Sequence, residues 1–389
     1  MTISESIRYV GVIDRETDLF EGQYPVPDGI RYNSYVILDD EIAVMDSVDT
    51  RFADLWLAQI NTVTGGKAPD YLIVQHMESD HSGSIMRFAK AYPEAKIVSS
   101  ARAFPMIKNF FGTDFADKAV TVGEGDTLSL GGHTLQFITA PMVHWPEVIM
   151  TYETKEHVLF TADAFGTFGR DETGEKWIDE ARRYYIGIVG KFGSAVQAVL
   201  KKIADLEIAT ICPLHGPVLT EDLDNYLDLS QIWSTYTPEE EGVLIAYTSV
   251  YGNTERAVRL LANALRDRGC SRVIVHDLAR CDMTRAVADA FRMSKLVLAT
   301  TTYNGGVFPF MQTFIHYLTG RTFCSRTVAF MENGSWAPTA AKVMGDLLAQ
   351  SKNLTFAETS VRITSALNKD STAQLLALAD ELTAENQPC

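Results

Sequence analysis

The sequence predicts an α/β protein of two domains, with layered sheets in the first and a doubly wound parallel sheet in the second. Its 389 residues suffice for two or three domains with buried cores. Short strands fill the first part, whereas apolar strands alternate with amphipathic helices in the last part. A proline, an acidic run and a glycine separate these patterns near residues 231–242. We therefore predict domains at residues 1–241 and 242–389.

The first half contains extended segments rich in β-branched and aromatic residues, which we expect to form sheets with helices outside. The predicted strands are residues 31–38, 42–46, 71–75, 96–99, 134–139, 148–152 and 157–161. Predicted helices at residues 52–60 and 193–202 interleave with them.

The second half alternates strand and helix, which is typical of a parallel sheet covered on both faces. The predicted strands are residues 243–248, 272–277, 295–300, 327–331 and 356–363. These five strands are the number expected for a small doubly wound module.

Composition excludes several classes of function. Hydrophobic residues make up 46% and charged residues 22%, which is ordinary for a folded globular protein. The net charge of −16 repels phosphate backbones and anionic lipids, so we expect neither nucleic acid nor membrane as a partner. The N-terminal residues lack a basic segment followed by an apolar core, which favours a cytoplasmic location.

The five cysteines are scattered along the chain, which argues against a disulfide framework and suits a reducing compartment. They are Cys212, Cys270, Cys281, Cys324 and Cys389. Because no pair has the close spacing of a thiolate metal knuckle, we expect no rubredoxin-type iron site within this chain.

Potential metal ligands are concentrated after the predicted strand at residues 71–75. His76, Glu78, Asp80 and His81 follow it within six residues. Three more candidates, His144, Asp163 and His215, each follow an apolar stretch. A lone histidine is usually structural, but burying the dense cluster without a counter-charge would be costly. The pattern predicts a metal site.

The ligand set indicates the kind of metal. Imidazoles and carboxylates without a thiolate suit divalent iron, manganese or zinc. Seven ligands are too many for one ion, and a carboxylate can bridge two ions.

The pattern of these residues resembles that of the metallo-β-lactamase fold, in the variant found in flavodiiron proteins. The resemblance to flavodiiron proteins covers nearly the whole chain. In the hydrolytic zinc members the position of Glu78 is generally a histidine. The resemblance implies that His76, Glu78 and His144 bind one iron, Asp80, His81 and His215 the other, and that Asp163 bridges them. In some members, the histidine at the position of His81 turns away from the metal. Trp145, in a His-Trp-Pro stretch typical of the family, is expected to have a packing role.

Three loops at strand ends of the second half predict a flavin pocket. Hydroxyls at a helix N-terminus form an anion site, and without a lysine or a glycine repeat the first loop suits a flavin monophosphate ester. It resembles the flavodoxin phosphate loop. Aromatic side chains and glycines in the other loops suit a planar ring. The predicted FMN-binding residues are Thr248, Ser249, Tyr251, Gly252, Asn253, Thr254, Thr301, Thr302, Tyr303, Asn304, Gly305, Asn333, Gly334 and Trp336.

Without a cysteine-bearing extension, the chain resembles the minimal two-domain form of the flavodiiron proteins, which implies a metallo-β-lactamase-like αββα sandwich followed by a flavodoxin-like five-stranded sheet. A flavin beside two iron ions favours electron transfer. The expected reaction is reduction of dioxygen to water, of nitric oxide to nitrous oxide, or both, as detoxification in an anaerobe-type metabolism. The sequence does not choose between these oxidants, and no side chain stands out as a proton donor.

The resemblance also implies a head-to-tail homodimer or a dimer of dimers. The electron donor could be a rubredoxin-like protein, a flavoprotein reductase or a reduced deazaflavin. Two alternatives remain. One is a zinc hydrolase with an accessory flavin domain, and the other is an electron carrier whose first half only mediates dimerisation.

Overall fold

The computed structural model describes residues 3–169 and 174–384. The chain divides into two compact units, Met1–Ser234 and Thr235–Cys389. The boundary predicted between residues 241 and 242 lies inside a strand of the second unit, Glu240–Tyr247. Within the described residues, every helix is too short or too polar to span a bilayer.

The first unit contains two main sheets. Its strands are β1 (Ile7–Tyr9), β2 (Val12–Asp14), β3 (Leu19–Phe20), β4 (Tyr24–Pro25), β5 (Ile30–Tyr32), β6 (Tyr35–Ile37), β7 (Ala43–Met45), β8 (Tyr71–Ile73), β9 (Lys96–Ser100), β10 (Ala119–Val122), β11 (Thr127–Ser129), β12 (Thr134–Thr139), β13 (Ile149–Glu153), β14 (Val158–Phe160) and β15 (Thr210–Cys212). One sheet has the order β1-β6-β7-β8-β9-β10 and the other β11-β12-β13-β14-β15.

The first unit also contains helices. They are α1 (Ala53–Val63), α2 (Ser79–Ser82), α3 (Ile85–Ala91), α4 (Ala103–Phe111), α5 (Glu175–Tyr184), α6 (Gly193–Ile203) and α7 (Leu223–Ser234). Of these, the short α2 carries the candidate ligands Asp80 and His81. A π-helical segment, Tyr185–Val189, continues α5, and short 3-10 turns occupy Thr50–Phe52 and Gly190–Phe192.

The apolar core explains why the two sheets stack. Buried residues of the first sheet, such as Met45 and Ile73, pack with Phe137 and Phe160 of the second. On the outer face of the first sheet, Trp56 of α1 and Phe88 of α3 join a second cluster. Alternate strand residues thus serve two different cores. The predicted αββα sandwich is confirmed.

One predicted strand, residues 31–38, is divided between β5 and β6. Asn33 lies at the break, and its side chain donates to the carbonyls of Pro213 and Gly216 at 2.8 and 2.9 Å. These bonds turn the chain away from β2, to which β5 is paired, and into the first sheet through β6.

The second unit is doubly wound. Its strands are β16 (Glu240–Tyr247), β17 (Val273–Asp277), β18 (Met293–Tyr303), β19 (Gly306–Val307), β20 (Thr327–Asn333), β21 (Thr355–Phe356) and β22 (Val361–Ile363). Its helices are α8 (Asn253–Asp267), α9 (Met283–Arg292), α10 (Pro309–Gly320), α11 (Ala340–Leu348) and α12 (Lys369–Thr383).

The main strands follow the order β17-β16-β18-β20-β21 and run parallel, with β22 also paired to β20. This is the flavodoxin-like order, which confirms the predicted fold of the second half. The predicted strand at 356–363 is interrupted between β21 and β22. There the carboxylate of Glu381 accepts hydrogen bonds from the amides of Glu358 and Thr359.

Candidate metal centre and cofactor cleft

The candidate metal ligands leave the ends of strands in both sheets of the first unit. The run from His76 to His81 follows β8 of the first sheet. His144 follows β12, Asp163 follows β14 and His215 follows β15, all in the second sheet. Because the sheets stack face to face, these loops meet at one edge of the sandwich.

Four of the candidates form a first cluster, comprising His76, Glu78, His144 and Asp163. Glu78 Oε2 lies 3.3 Å from His76 Nε2 and 3.0 Å from His144 Nε2. Asp163 Oδ2 lies 3.3 and 3.0 Å from the same two nitrogens. One ligand atom from each residue therefore borders a common space.

The other three candidates, Asp80, His81 and His215, form a second cluster. The Nε2 atoms of His81 and His215 are 2.9 Å apart, and Asp80 Oδ2 lies 3.3 and 3.2 Å from them. His81 is fully buried and faces this cluster. The structure thus places it with Asp80 and His215.

Asp163 lies between the two clusters. Its Oδ2 atom faces the first cluster, whereas its Oδ1 atom lies 3.4 Å from His81 Nε2 and 3.7 Å from His215 Nε2. One buried carboxylate therefore presents one oxygen to each group, which is the arrangement needed to bridge two ions.

The outer ring nitrogens are held by other groups. His76 Nδ1 lies 2.9 Å from Glu147 Oε1, and His215 Nδ1 lies 2.8 Å from the carbonyl oxygen of Arg31. Donation of Nδ1–H to these acceptors leaves the Nε2 lone pair directed at the cluster, as metal-binding histidines require.

The electrostatics show that the carboxylates need positive charge. Burial would raise the pKa of Asp163, but the charge of His76 and hydrogen bonds from His144 and His76 hold it well below its ordinary value. Burial would lower the pKa of His144, but hydrogen bonds with Asp163 and Glu78 raise it to about 9. Imidazolium protons or divalent cations must therefore balance these carboxylates.

Buried oxygens without partners favour cations. Both carboxylate oxygens of Asp80 and Oδ1 of Asp163 are buried without a hydrogen-bond partner among the described residues. A buried carboxylate oxygen that accepts no hydrogen bond is costly, and a metal ion would compensate it. The donor set of imidazole and carboxylate fits two ions of divalent iron.

Two buried residues near the clusters were not predicted. Glu147, which directly follows the His-Trp-Pro stretch, contacts His76. The ring of Tyr184, on α5, lies 5.5 Å from that of His215, and its buried hydroxyl has no hydrogen-bond partner among the described residues. The sequence does not indicate Tyr184, because its place depends on the packing of α5 against the loops that carry the metal ligands.

A separate cleft of about 610 Å³ opens in the second unit where β16, β18 and β20 end. Strands β16 and β18 are adjacent, but the chain leads from β16 to β17 on one side of the pair and from β18 to β20 on the other. The cleft therefore lies at the topological switch point of the sheet. Predicted residues that line it are Ser249, Tyr251, Asn253, Thr254, Thr301, Thr302, Tyr303, Asn304, Gly305, Asn333, Gly334 and Trp336.

The cleft suits a flat aromatic cofactor. Tyr251 and Trp336 are 90% and 83% exposed at its wall, which is unusual for large aromatic side chains unless they cover a ligand. Thr301 Oγ1 is buried there without a partner among the described residues. Helix α8 begins at Asn253, at the wall of the cleft, so its N-terminal dipole favours a phosphate there.

Two predicted flavin residues do not line the cleft. Thr248 is buried, with its hydroxyl 2.6 Å from that of Thr300. Gly252 precedes α8 with a φ of 83°, a left-handed conformation that favours glycine. Lining residues absent from the prediction are Val250, Ser335, Ala337, Thr339 and Ser365.

Comparisons with known proteins agree with this geometry. Residues 30–216 match a family model described as ODP family beta-lactamase. A nitric oxide reductase from Moorella thermoacetica is 28% identical over 364 residues, which cover 90% of both chains. A rubredoxin-oxygen oxidoreductase from Megalodesulfovibrio gigas is 27% identical over 360 residues, covering 89% of this chain and 88% of the relative.

A solved structure shares the complete fold. The flavodiiron protein from Giardia intestinalis superimposes with a TM-score of 0.91 at 23% identity, over 98% of this chain and 95% of that chain. The alignments span both units, and the structure contains both the paired ligand clusters and the cofactor cleft. Over nearly its whole length, the chain is therefore similar to flavodiiron proteins and their relatives.

Proposed function

We propose that this chain reduces dioxygen, nitric oxide or both, with electrons that pass from FMN in the second unit to two iron ions in the first. The observation that carries the proposal is Asp163, whose two oxygens face different ligand clusters. The relatives named as a nitric oxide reductase and a rubredoxin-oxygen oxidoreductase support the same chemistry.

We assign His76, Glu78 and His144 to one iron and Asp80, His81 and His215 to the other, with Asp163 shared. Two ferrous ions held there would supply two electrons, enough to couple two nitric oxides, and reduced FMN in the cleft would supply the two more that dioxygen needs. Glu147 keeps the Nε2 atom of His76 directed at the cluster. Residues that line the cleft of the second unit would hold the flavin, and Tyr251 and Trp336 would offer aromatic faces for its ring.

Tyr184 is the proton-bearing group that we place beside the clusters. Burial and the nearby carboxylates raise the pKa of its phenol well above its ordinary value. It therefore keeps its proton at neutral pH and is able to donate a hydrogen bond to an anionic oxygen formed nearby.

The zinc hydrolase alternative is not favoured. Glu78 supplies an oxygen at the position where hydrolytic members carry a histidine, and the same chain contains a complete cofactor cleft. A dimerising role alone would not require two ligand clusters with buried carboxylate oxygens that accept no hydrogen bond among the described residues.

We further propose, from the family resemblance, that the functional unit is a head-to-tail homodimer or a dimer of dimers. A flavin of one chain would then lie near the iron pair of its partner. Candidate electron donors are a rubredoxin-like protein, a flavoprotein reductase or a reduced deazaflavin. A cytoplasmic location is supported by the free cysteines Cys212, Cys270, Cys281 and Cys324.

Anaerobic stopped-flow oxidation of the fully reduced, iron-loaded protein tests the function. Faster flavin reoxidation by dioxygen than by nitric oxide, without peroxide release, identifies an oxygen reductase. Faster reoxidation by nitric oxide, with nitrous oxide as product, identifies a nitric oxide reductase. Reoxidation by both gases at the rate of free FMN would contradict the proposal.

A further inference from the structure

A small apolar cavity adjoins the candidate metal centre on the side away from the first sheet. Asp163 and the loop that follows it form one wall. Trp177 and Tyr184 of α5, and Val196 and Val199 of α6, form others, with Trp233 of α7 opposite. The cavity therefore lies under the helical layer, beside Asp163, the residue whose carboxylate faces both ligand clusters.

The space suits one small molecule. The centre of a water-sized sphere can move through about 20 Å³ of the cavity. One water needs about 10–15 Å³ on the same measure. The π-helical segment Tyr185–Val189 contributes Val189 to the wall, and π-helical turns are frequent at functional sites.

The lining chemistry favours an apolar occupant. Both Asp163 oxygens lie within 3.7 Å of histidine nitrogens, so its charge is directed at the ligand clusters. The Ser230 hydroxyl already donates to the carbonyl of Tyr226. Trp177 Nε1 and the Tyr184 hydroxyl are buried without partners among the described residues. They could give a water two bonds, the low end of the two to four that buried waters make.

We propose that this cavity binds the diatomic gas, dioxygen or nitric oxide, immediately before it reaches the metal pair. This inference rests on the proposed function. Both gases are small and weakly hydrated, so they lose little on leaving water for an apolar space. Such a space beside Asp163 raises the local concentration of substrate at the metal centre while offering little to water.

Xenon tests occupancy without any turnover. Crystals of the iron-loaded full-length protein are pressurised with xenon, and wild type is compared with Val199→Phe. Val199 is 3% exposed and its side chain borders the cavity, so phenylalanine fills the space. Ala198→Phe is the matched control, because Ala198 lies on the same helix but is exposed. We expect a xenon site in wild type and Ala198→Phe, and none in Val199→Phe.

The kinetic arm follows reoxidation against gas concentration. For Val199→Phe we expect kcat/KM to fall by roughly tenfold, the lower end of what one misfitting group costs in an apolar pocket. Iron content, FMN content and oxidation by ferricyanide should stay unchanged. Val199→Leu, a milder change if phenylalanine prevents folding, should give a smaller loss in the same direction.

An ordered water in place of xenon, or unchanged kcat/KM in a folded Val199→Phe protein without a xenon site, would overturn the inference while the proposed function stands. A wild-type protein that reduces neither gas would instead remove the proposed function, and with it any substrate role for the cavity.

Discussion

Glu147 Oε1 lies 2.9 Å from His76 Nδ1 and also accepts a hydrogen bond from the amide of Met77 at 2.9 Å. One buried oxygen therefore fixes both the ring of a candidate ligand and the loop that carries it. Replacing Glu147 with glutamine removes the charge that makes the imidazole a stronger ligand. We expect iron affinity to fall by roughly 10- to 100-fold, as for other partners of metal-bound histidines. Competition with a coloured chelator measures the affinity.

The matched control for Glu147→Gln is Glu153→Gln. Glu153 forms a similar buried pair with His133, at 3.1 Å, but neither residue is in a ligand cluster. Equal losses of iron affinity in the two variants would show that Glu147 acts only through general stability.

Replacing Asp163 with asparagine tests the bridge. An asparagine of the same size offers one carbonyl oxygen, so its amide nitrogen faces one of the two clusters. We expect about one iron per chain in place of two, and loss of gas reduction, because a shared carboxylate holds two-metal sites together. Elemental analysis measures the iron. FMN content is the internal control and should not change. Two irons per chain in the variant would show that Asp163 does not bridge.

Trp336→Ala tests the aromatic wall of the cofactor cleft. Trp336 is 83% exposed, so its removal should leave folding unaffected. We expect the Kd for FMN to rise by about three- to tenfold, the value of one aromatic stacking contact. Fluorescence quenching of FMN measures it. Phe356→Ala is the control, since Phe356 is an exposed aromatic outside the cleft. An unchanged Kd in Trp336→Ala would show that the flavin ring does not stack on Trp336.

His276 predicts a pH-dependent contribution to the stability of the second unit. Burial would lower the pKa of His276, but hydrogen bonds with Asp289 and Cys281 raise it from 6.5 to about 9. Because the folded protein holds the proton more tightly, the stabilisation is complete below about pH 6.5 and is lost as pH rises through about 9. We expect a loss of about 1–3 kcal/mol in the free energy of unfolding over this range.

Urea unfolding of the full chain at pH 6.5 and 9.5 measures this loss, which Asp289→Asn should largely abolish. Glu255→Gln is the control, because Glu255 pairs with Arg259 on the surface and not with a histidine. The same pH dependence in wild type and Asp289→Asn would refute the assignment.

The sequence revealed the metal ligands because each follows an apolar strand, and strand ends gather at one edge of a sandwich. It did not reveal Glu147, because nothing beside that residue indicates that it contacts a histidine 71 positions earlier. The break in the strand at Asn33 depends on carbonyls about 180 residues away, so no local pattern predicts it. Threonine is a residue type that binds phosphate, but the hydroxyl of Thr248 is hydrogen-bonded to that of Thr300.

The clusters draw ligands from both layers of the sandwich, with His76 and Glu78 from the first sheet facing His144 and Asp163 from the second. Iron bound there would act as a cross-link between the layers as well as a redox centre. Without iron, only protonated histidines would balance these carboxylates, and the two layers would lose this cross-link.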